Sequence, residues 1–300
     1  METGDDCAIL LGFSGIGAAS SEECCDLAVE SRLDVSPLLT PKDYAAQTVF
    51  APANLLREAR RQRGLPDIAV PAVGLLDPDG DIMRYLASSG RGRPPPGWAC
   101  YHTEMWTVDL DGIEIGVVGM AVGAPFAVLV AEQLKASGAE LTLSITSAGQ
   151  ISAVEELPCF VLIEKALRDE GTSLHYQPPA RWSHLDAKLL QRLAGAFDHL
   201  PEPVRSGASW TTDAPYRETA RAIEAAKLDN IVCVEMEAAG LYAYAAARNQ
   251  PVVCFAHITN TMATEGADFE KGADNGAHEA LGVARAAAAA LCLPHRRASG

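Results

Sequence analysis

The apolar run Ile231-Val232-Cys233-Val234 passes directly into Glu235-Met236-Glu237 and then into the small, helix-favouring residues Ala238-Ala239-Gly240-Leu241. No other stretch constrains the fold as much, because a short strand feeding straight into a helix belongs to an alternating β/α plan. A strand-to-helix turn beside a core desolvates carboxylates, which is costly unless something uses them. The vicinal hydroxyls of a sugar are one use, since an ionised carboxylate accepts two hydrogen bonds at once. The plainer use is electrostatic, because negative charge is stabilised at a helix N-terminus by the macrodipole.

The same alternation runs along the chain. Strands are predicted over Ala8–Leu11, Ile68–Leu75, Ile113–Gly119, Leu141–Thr146, Cys159–Ile163, Ile231–Val234 and Val252–Ile258. Helices are predicted over Pro52–Arg63, Pro125–Ser137, Ala187–Ala196, Tyr216–Ala226, Met236–Ala247 and His278–Leu291. The rhythm is that of an α/β fold, with no repeat at solenoid periods. Residues 1–65 carry few strand signals and a polar, acidic opening, so they are expected to be an N-terminal extension packed on a catalytic domain over residues 66–294. Gly90-Arg91-Gly92-Arg93-Pro94-Pro95-Pro96-Gly97 can be neither helix nor central strand and reads as a surface loop or lid.

Three hundred residues with 48% hydrophobic and 21% charged content suit one large α/β domain. A formal net charge of −15 argues against a nucleic-acid surface, which needs basic groups to neutralise phosphates. A small or neutral substrate fits it better. The eight cysteines are scattered apart from Cys24-Cys25, and no Cys-x-x-Cys pair has zinc spacing. They read as reduced thiols of a cytoplasmic protein, with Cys159, Cys233 and Cys254 acting as small hydrophobes inside apolar runs. Acidic Glu2, Asp5 and Asp6 stand where a secretory leader would be basic, and no window reaches about eighteen apolar residues, so no membrane span is expected.

Two more segments carry ligand-binding chemistry. Gly119-Met120-Ala121-Val122-Gly123-Ala124-Pro125-Phe126 follows a strand and opens a helix; its glycines let backbone approach a ligand, and free N–H groups there cradle polar groups. Thr146-Ser147-Ala148-Gly149-Gln150-Ile151 ends another strand, where open α/β sheets place ligands. With Glu235-Met236-Glu237 they form an ordered trio across about residues 70–290 that resembles the nucleoside phosphorylase and nucleosidase superfamily.

The resemblance implies an α/β, single-domain fold with a mixed central β-sheet flanked by helices, a nucleoside substrate, and no cofactor or metal. It places Glu237 on the ribose hydroxyls and Met236 beneath the sugar ring, with Glu235, Ser147, Ala148, Gly149, Gly119 and Met120 around them. Tyr216 is the candidate to stack on the base, ahead of Trp210 and Tyr176, because flat heterocycles stack on aromatic faces. Arg217 and Asn260 would receive the departing base. Thr259-Asn260 stands where purine-specific relatives carry Ser-Asp; Asn both donates and accepts hydrogen bonds, which favours a carbonyl-rich base, a 6-oxopurine or a pyrimidine. The superfamily also implies a homodimer or higher homo-oligomer, with Trp98–Trp106, including Tyr101, His102 and Glu104, reaching into a neighbour's site.

A phosphorylase holds a dianionic phosphate beneath the sugar, normally with two or three arginines. The three positions that resemble those arginines hold Gly80, Ser144 and Thr107. The hydrolytic branch instead carries a carboxylate near the first turn to position water. Asp81 is the candidate, with Asp77 and Asp79 competing, and Asp-Pro-Asp-Gly is also a good turn sequence with no chemistry attached. The expected activity is therefore a nucleosidase that cleaves an N-glycosidic bond with water, through an oxocarbenium-like sugar stabilised by Glu237. The alternative is a phosphate-dependent nucleoside phosphorylase whose anion site is rebuilt from Arg84, Arg91, Arg93, His102 or Arg217. A binding protein that keeps the sugar pocket without turnover is the third reading.

Overall fold

Short apolar runs become strands buried on both faces, and the amphipathic segments between them become helices that supply the cover. The computed structural model describes residues 36–153, 157–260 and 271–292; the predicted strand Ala8–Leu11 lies outside them. Residues 36–41 group apart and form a turn closed by Leu39 N–H on the Ser36 carbonyl at 2.8 Å. The described residues from Lys42 on form one compact unit.

In chain order this unit contains α1 (Pro52–Arg63), β1 (Val73–Asp77), α2 (Asp81–Ser89), β2 (Met105–Leu110), β3 (Ile113–Gly119) and α3 (Ala124–Ala136). Then come β4 (Leu141–Gln150), β5 (Cys159–Asp169), α4 (Ser173–Tyr176), β6 (Trp182–His184), α5 (Ala187–Leu193) and β7 (Val204–Thr212). The order ends with α6 (Ala220–Leu228), β8 (Ile231–Glu235), α7 (Ala238–Arg248), β9 (Val252–Asn260) and α8 (Ala277–Cys292).

The sheet is mixed, in the order β2-β3-β1-β4-β8-β7-β5-β6, with β9 pairing both β4 and β5. That double pairing closes β4, β9, β5, β7 and β8 into a ring. β1, β3, β4 and β9 run parallel, whereas β8 meets β4 antiparallel only at Gly149–Val234 and Gln150–Cys233. The carboxyl ends of β4 and β8 therefore approach each other from opposite directions. Their meeting point brings the Ser-Ala-Gly turn beside the Glu-Met-Glu junction.

Local sequence sets the boundaries. Pro71 lies inside the predicted strand Ile68–Leu75, and regular pairing begins only at Val73. Gly64 closes α1 in the left-handed conformation at φ 63. Asp186 caps α5 by accepting from the N–H groups of Lys188 and Leu189. The helix predicted over Tyr216–Ala226 begins instead at Ala220, because the Thr219 hydroxyl caps it through Ala222 N–H; Pro215–Arg217 forms a separate 3₁₀ turn. β2, β6, β7, α2 and α4 have no predicted counterpart.

The core lies between the sheet and α3, α7 and α8, and α7 is tied to it by polar contacts as well as packing. Tyr242 donates its hydroxyl to the Ile163 carbonyl at 2.5 Å and accepts from Cys254 N–H at 3.1 Å, so one buried phenol joins α7 to β5 and β9. Cys100, Cys159, Cys233 and Cys254 are buried free thiols. No described helix is long and apolar enough to cross a membrane. Replacing Tyr242 with Phe strands two buried backbone groups, with an expected loss of about 1–3 kcal/mol of stability in urea unfolding. An unchanged midpoint and slope would remove the phenol from the tie.

Candidate active site

The junction after β8 is built around two carboxylates with different surroundings. Glu235 lies at the strand end and is buried. One of its oxygens accepts from Ser209 Oγ at 2.9 Å and Thr211 Oγ1 at 2.5 Å; the other accepts from the N–H groups of Glu237 and Ala238, both at 2.7 Å. Four protein donors thus hold Glu235, which satisfies the first N–H groups of α7 as a cap does. Burial raises its pKa, opposed by these same hydrogen bonds.

Glu237, 1% exposed, faces the other way. One oxygen accepts from Gly123 N–H at 2.7 Å and the other lies 3.4 Å from Met236 N. The Thr146 side chain also hydrogen-bonds to it. The carboxylate therefore links the glycine turn after β3, the end of β4 and the start of α7. Burial, then the charge of Glu235, pushes its pKa well above the usual carboxylate range, while the Gly123 and Thr146 hydrogen bonds pull it down. A group in that state gains from a partner that carries or develops positive charge.

The turn after β1 supplies a second set of carboxylates. Asp77 is buried and caps α2, accepting from Gly80 N–H at 3.1 Å and Met83 N–H at 2.8 Å. Desolvation, with Asp79 and Asp81 nearby, raises its pKa to about 7 against the backbone hydrogen bonds. Asp79 crosses to β4: its Oδ2 accepts from both the N–H and the Oγ–H of Ser147, each at 2.7 Å. Asp81 instead accepts from Lys271 Nζ at 2.7 Å, Arg84 Nη2 at 2.6 Å and Asn275 Nδ2 at 3.3 Å. Burial raises its pKa, but Lys271 and Arg84 outweigh that and hold it below the ordinary value.

These carboxylates line a cleft with Thr146, Ser147 and His257. His257 is stacked on Phe160, with ring centroids 4.3 Å apart and planes 9° from parallel. Desolvation and the nearby Lys271 charge lower its pKa to about 4, so the ring is neutral at pH 7. Gly276 allows this packing, because a Cβ there would lie 2.4 Å from His257 Cε1.

Glu237 is joined by hydrogen bonds to Gly123 and Thr146, Asp79 to Ser147, and the Asp79 charge acts on Glu237. Met120 adopts φ 67 and donates its N–H to the Asp77 carbonyl at 3.0 Å. Ala148 is buried, and Gly149 pairs with Asn260 at the end of β9. Met236 is half-buried between the two glutamates. Tyr216 and Arg217 sit on the exposed 3₁₀ turn. His102 is exposed with its ring edge-on to Phe126 at 6.5 Å. Trp210 is buried and donates its indole N–H to Asp169, while the Tyr176 hydroxyl contacts Glu132.

Of the cations expected to rebuild an anion site, Arg84 reaches the cleft through Asp81, to which its Nη2 donates at 2.6 Å, and its Nη1 is 2.9 Å from where a Cβ on Gly80 would stand. Arg91 packs on Tyr85, and Arg93 pairs with Glu114. Lys271 had no signal in the sequence, because its partner Asp81 is 190 residues away. Among the described residues no group of three or more His, Cys, Asp or Glu side chains is placed to hold a metal ion.

The model of the phosphorylase superfamily matches residues 77–292. A guanosine phosphorylase from Halorubrum lacusprofundi is 27% identical over 165 residues, which is 55% of this chain and 67% of that protein. A uridine phosphorylase from Thermococcus kodakarensis is 26% identical over 190 residues, covering 55% of this chain and 69% of the relative. Among solved structures, uridine phosphorylase from Vibrio fischeri superposes with a TM-score of 0.62 at 21% identity, covering 75% of this chain and 92% of that one. Purine nucleoside phosphorylase from Toxoplasma gondii gives the same TM-score at 16% identity, covering 75% and 91%.

Asp77 holds its proton more tightly folded than unfolded, so its stabilising contribution is complete below about pH 4 and is lost as pH rises to about 7. Asp77→Asn is therefore expected to flatten the decline in stability across that interval, read by chemical unfolding at several pH values. A variant curve parallel to the wild-type curve would assign the decline to other groups.

Proposed function

The chain belongs to the phosphorylase superfamily, and from that premise we propose that it is an enzyme that cleaves the N-glycosidic bond of a nucleoside with phosphate as acceptor, releasing the base and a sugar 1-phosphate. The observation that carries the reading is Glu237: a carboxylate 1% exposed, oriented by Gly123 N–H and hydrogen-bonded by the Thr146 side chain at the end of β4. In this position it accepts hydrogen bonds from the sugar's vicinal hydroxyls and sets negative charge against the oxocarbenium character that grows as the bond loosens. The relatives named guanosine and uridine phosphorylase support phosphate as nucleophile. Arg84 and Lys271 are the cations at the cleft that would face it.

Asn260, buried at the end of β9 and paired through its backbone with Gly149, is our candidate for the base edge. An amide both donates and accepts, which suits a 6-oxopurine or a pyrimidine. Tyr216 and Arg217 would close over the base from their exposed turn, as a part of the site that ligand brings together. Met236 would lie beneath the sugar.

Hydrolysis is the second reading, favoured by one feature: Asp77, Asp79 and Asp81 all line the cleft, and acids there repel a dianion but orient water. Incubation with guanosine, inosine and uridine, with and without phosphate, separates the two. Sugar 1-phosphate formed only with phosphate is the expected outcome; free ribose at an equal rate without phosphate would replace the acceptor with water.

Glu237→Ala is expected to lower kcat by on the order of 10²–10³. Activity retained by this variant would take Glu237 off the sugar. Because Glu237 titrates above the ordinary carboxylate range, kcat/KM should rise with pH through neutrality as the carboxylate forms. A flat profile would detach catalysis from its ionisation.

A further inference from the structure

We propose that Asp79 determines the acceptor: its carboxylate occupies the Ser147 donor pair as an internal anion, and an acceptor anion binds by displacing it. The inference rests on the reading of this cleft as the acceptor side of a nucleoside-cleaving site. Two donors from one residue, the Ser147 N–H and Oγ–H, converge on a single oxygen at 2.7 Å each. Convergent, pre-aimed donors of this kind bind oxyanions, and they are as well matched to a phosphate oxygen as to a carboxylate. The surrounding charge matches as well. Lys271 Nζ stands 3.7 Å from the other oxygen of Asp79, and Arg84 Nη2 donates to the Asp79 carbonyl at 2.8 Å.

The Asp79 side chain is one-third exposed (32%), whereas that of Asp81 is 11% exposed and held by three donors. Asp79 is thus the less restrained of the two and the one lying on the Ser147 donors. A phosphate seated on Ser147 with Asp79 still in place would put like charges in contact, which opposes its binding. The carboxylate therefore sets a weak affinity for phosphate and leaves room for a neutral nucleophile. Position 79, rather than the missing arginines alone, sets the balance between the two acceptors.

The test is titration of inorganic phosphate at constant ionic strength against wild type, Asp79→Ser and Asp79→Asn, following the thermal midpoint, which rises as ligand binds the folded state. Asp79→Ser is expected to lower the half-saturating phosphate concentration by about tenfold or more, with Asp79→Asn intermediate because its amide oxygen still accepts from Ser147. Ser147→Ala added to Asp79→Ser should cancel most of the gain. If the serine variant fails to fold, Asp79→Asn, which keeps the side-chain shape, carries the comparison. Equal or weaker phosphate binding by the variants overturns the proposal. Absence of base release in every protein bears on the functional reading alone, since the titration reports on Asp79 without turnover.

Discussion

The site depends on one buried carboxylate that has no exposed face. Glu235 accepts from two hydroxyls of β7 and two N–H groups of α7, so it joins the last turn of a strand, its neighbour and the start of a helix. A carboxylate in an apolar environment is costly unless every lone pair is used, and here each oxygen has two donors. Because Thr211 also accepts from Ala239 N–H, the hydroxyls that satisfy Glu235 help to hold the helix. The direction in which Glu237 leaves the chain follows from this clamp. Without it, the first turn of α7 would have no fixed origin.

Much of the plan was legible in the sequence because short, β-branched apolar runs bounded by turn residues favour buried strands over helices. The runs ending at Gly119 and Val234 became strands with nearly the expected limits, and Pro52–Arg63 became the expected helix. β7 was not legible, since its Val-Arg-Ser-Gly-Ala-Ser-Trp-Thr-Thr sequence looks like a polar loop. The hydroxyls that obscure it are the ones that bind Glu235. α2 was hidden behind Asp-Pro-Asp-Gly, whose turn character is real but ends at Gly80, after which Asp77 caps a helix.

The site shows the same division. The glycine turn, the Ser-Ala-Gly turn and the Glu-Met-Glu segment were recognisable as a set, and Glu237 connects the first and last of them through Gly123 N–H. What a linear reading left open was which partners each acid of the first turn takes and in what state. Three aspartates at alternate positions have three fates: Asp77 turns inward to a helix start, Asp79 crosses to Ser147, and Asp81 pairs with Lys271 and Arg84. Spacing cannot separate them, because the difference comes from partners on β4 and beyond β9. Likewise the two roles of Glu235 and Glu237 depend on which face of the junction each occupies.

Gly80, Ser144 and Thr107, at the positions that resemble the superfamily's phosphate-binding arginines, carry no charge, and cations reach this region from elsewhere in the chain. Arg84 Nη1 approaches the space left by the Gly80 side chain, and Lys271 enters from a remote segment. Asp79 and Asp81 accompany the two cations, so positive charge at the cleft is largely neutralised from within. A cation already paired to a neighbouring carboxylate contributes less to a ligand than a free one, because binding must first exchange one ion pair for another. The cleft is therefore electrostatically self-satisfied. With the proposed acceptor site, selectivity among nucleophiles would follow from how readily these internal pairs open, beginning with the exchange of one carboxylate oxygen at Ser147.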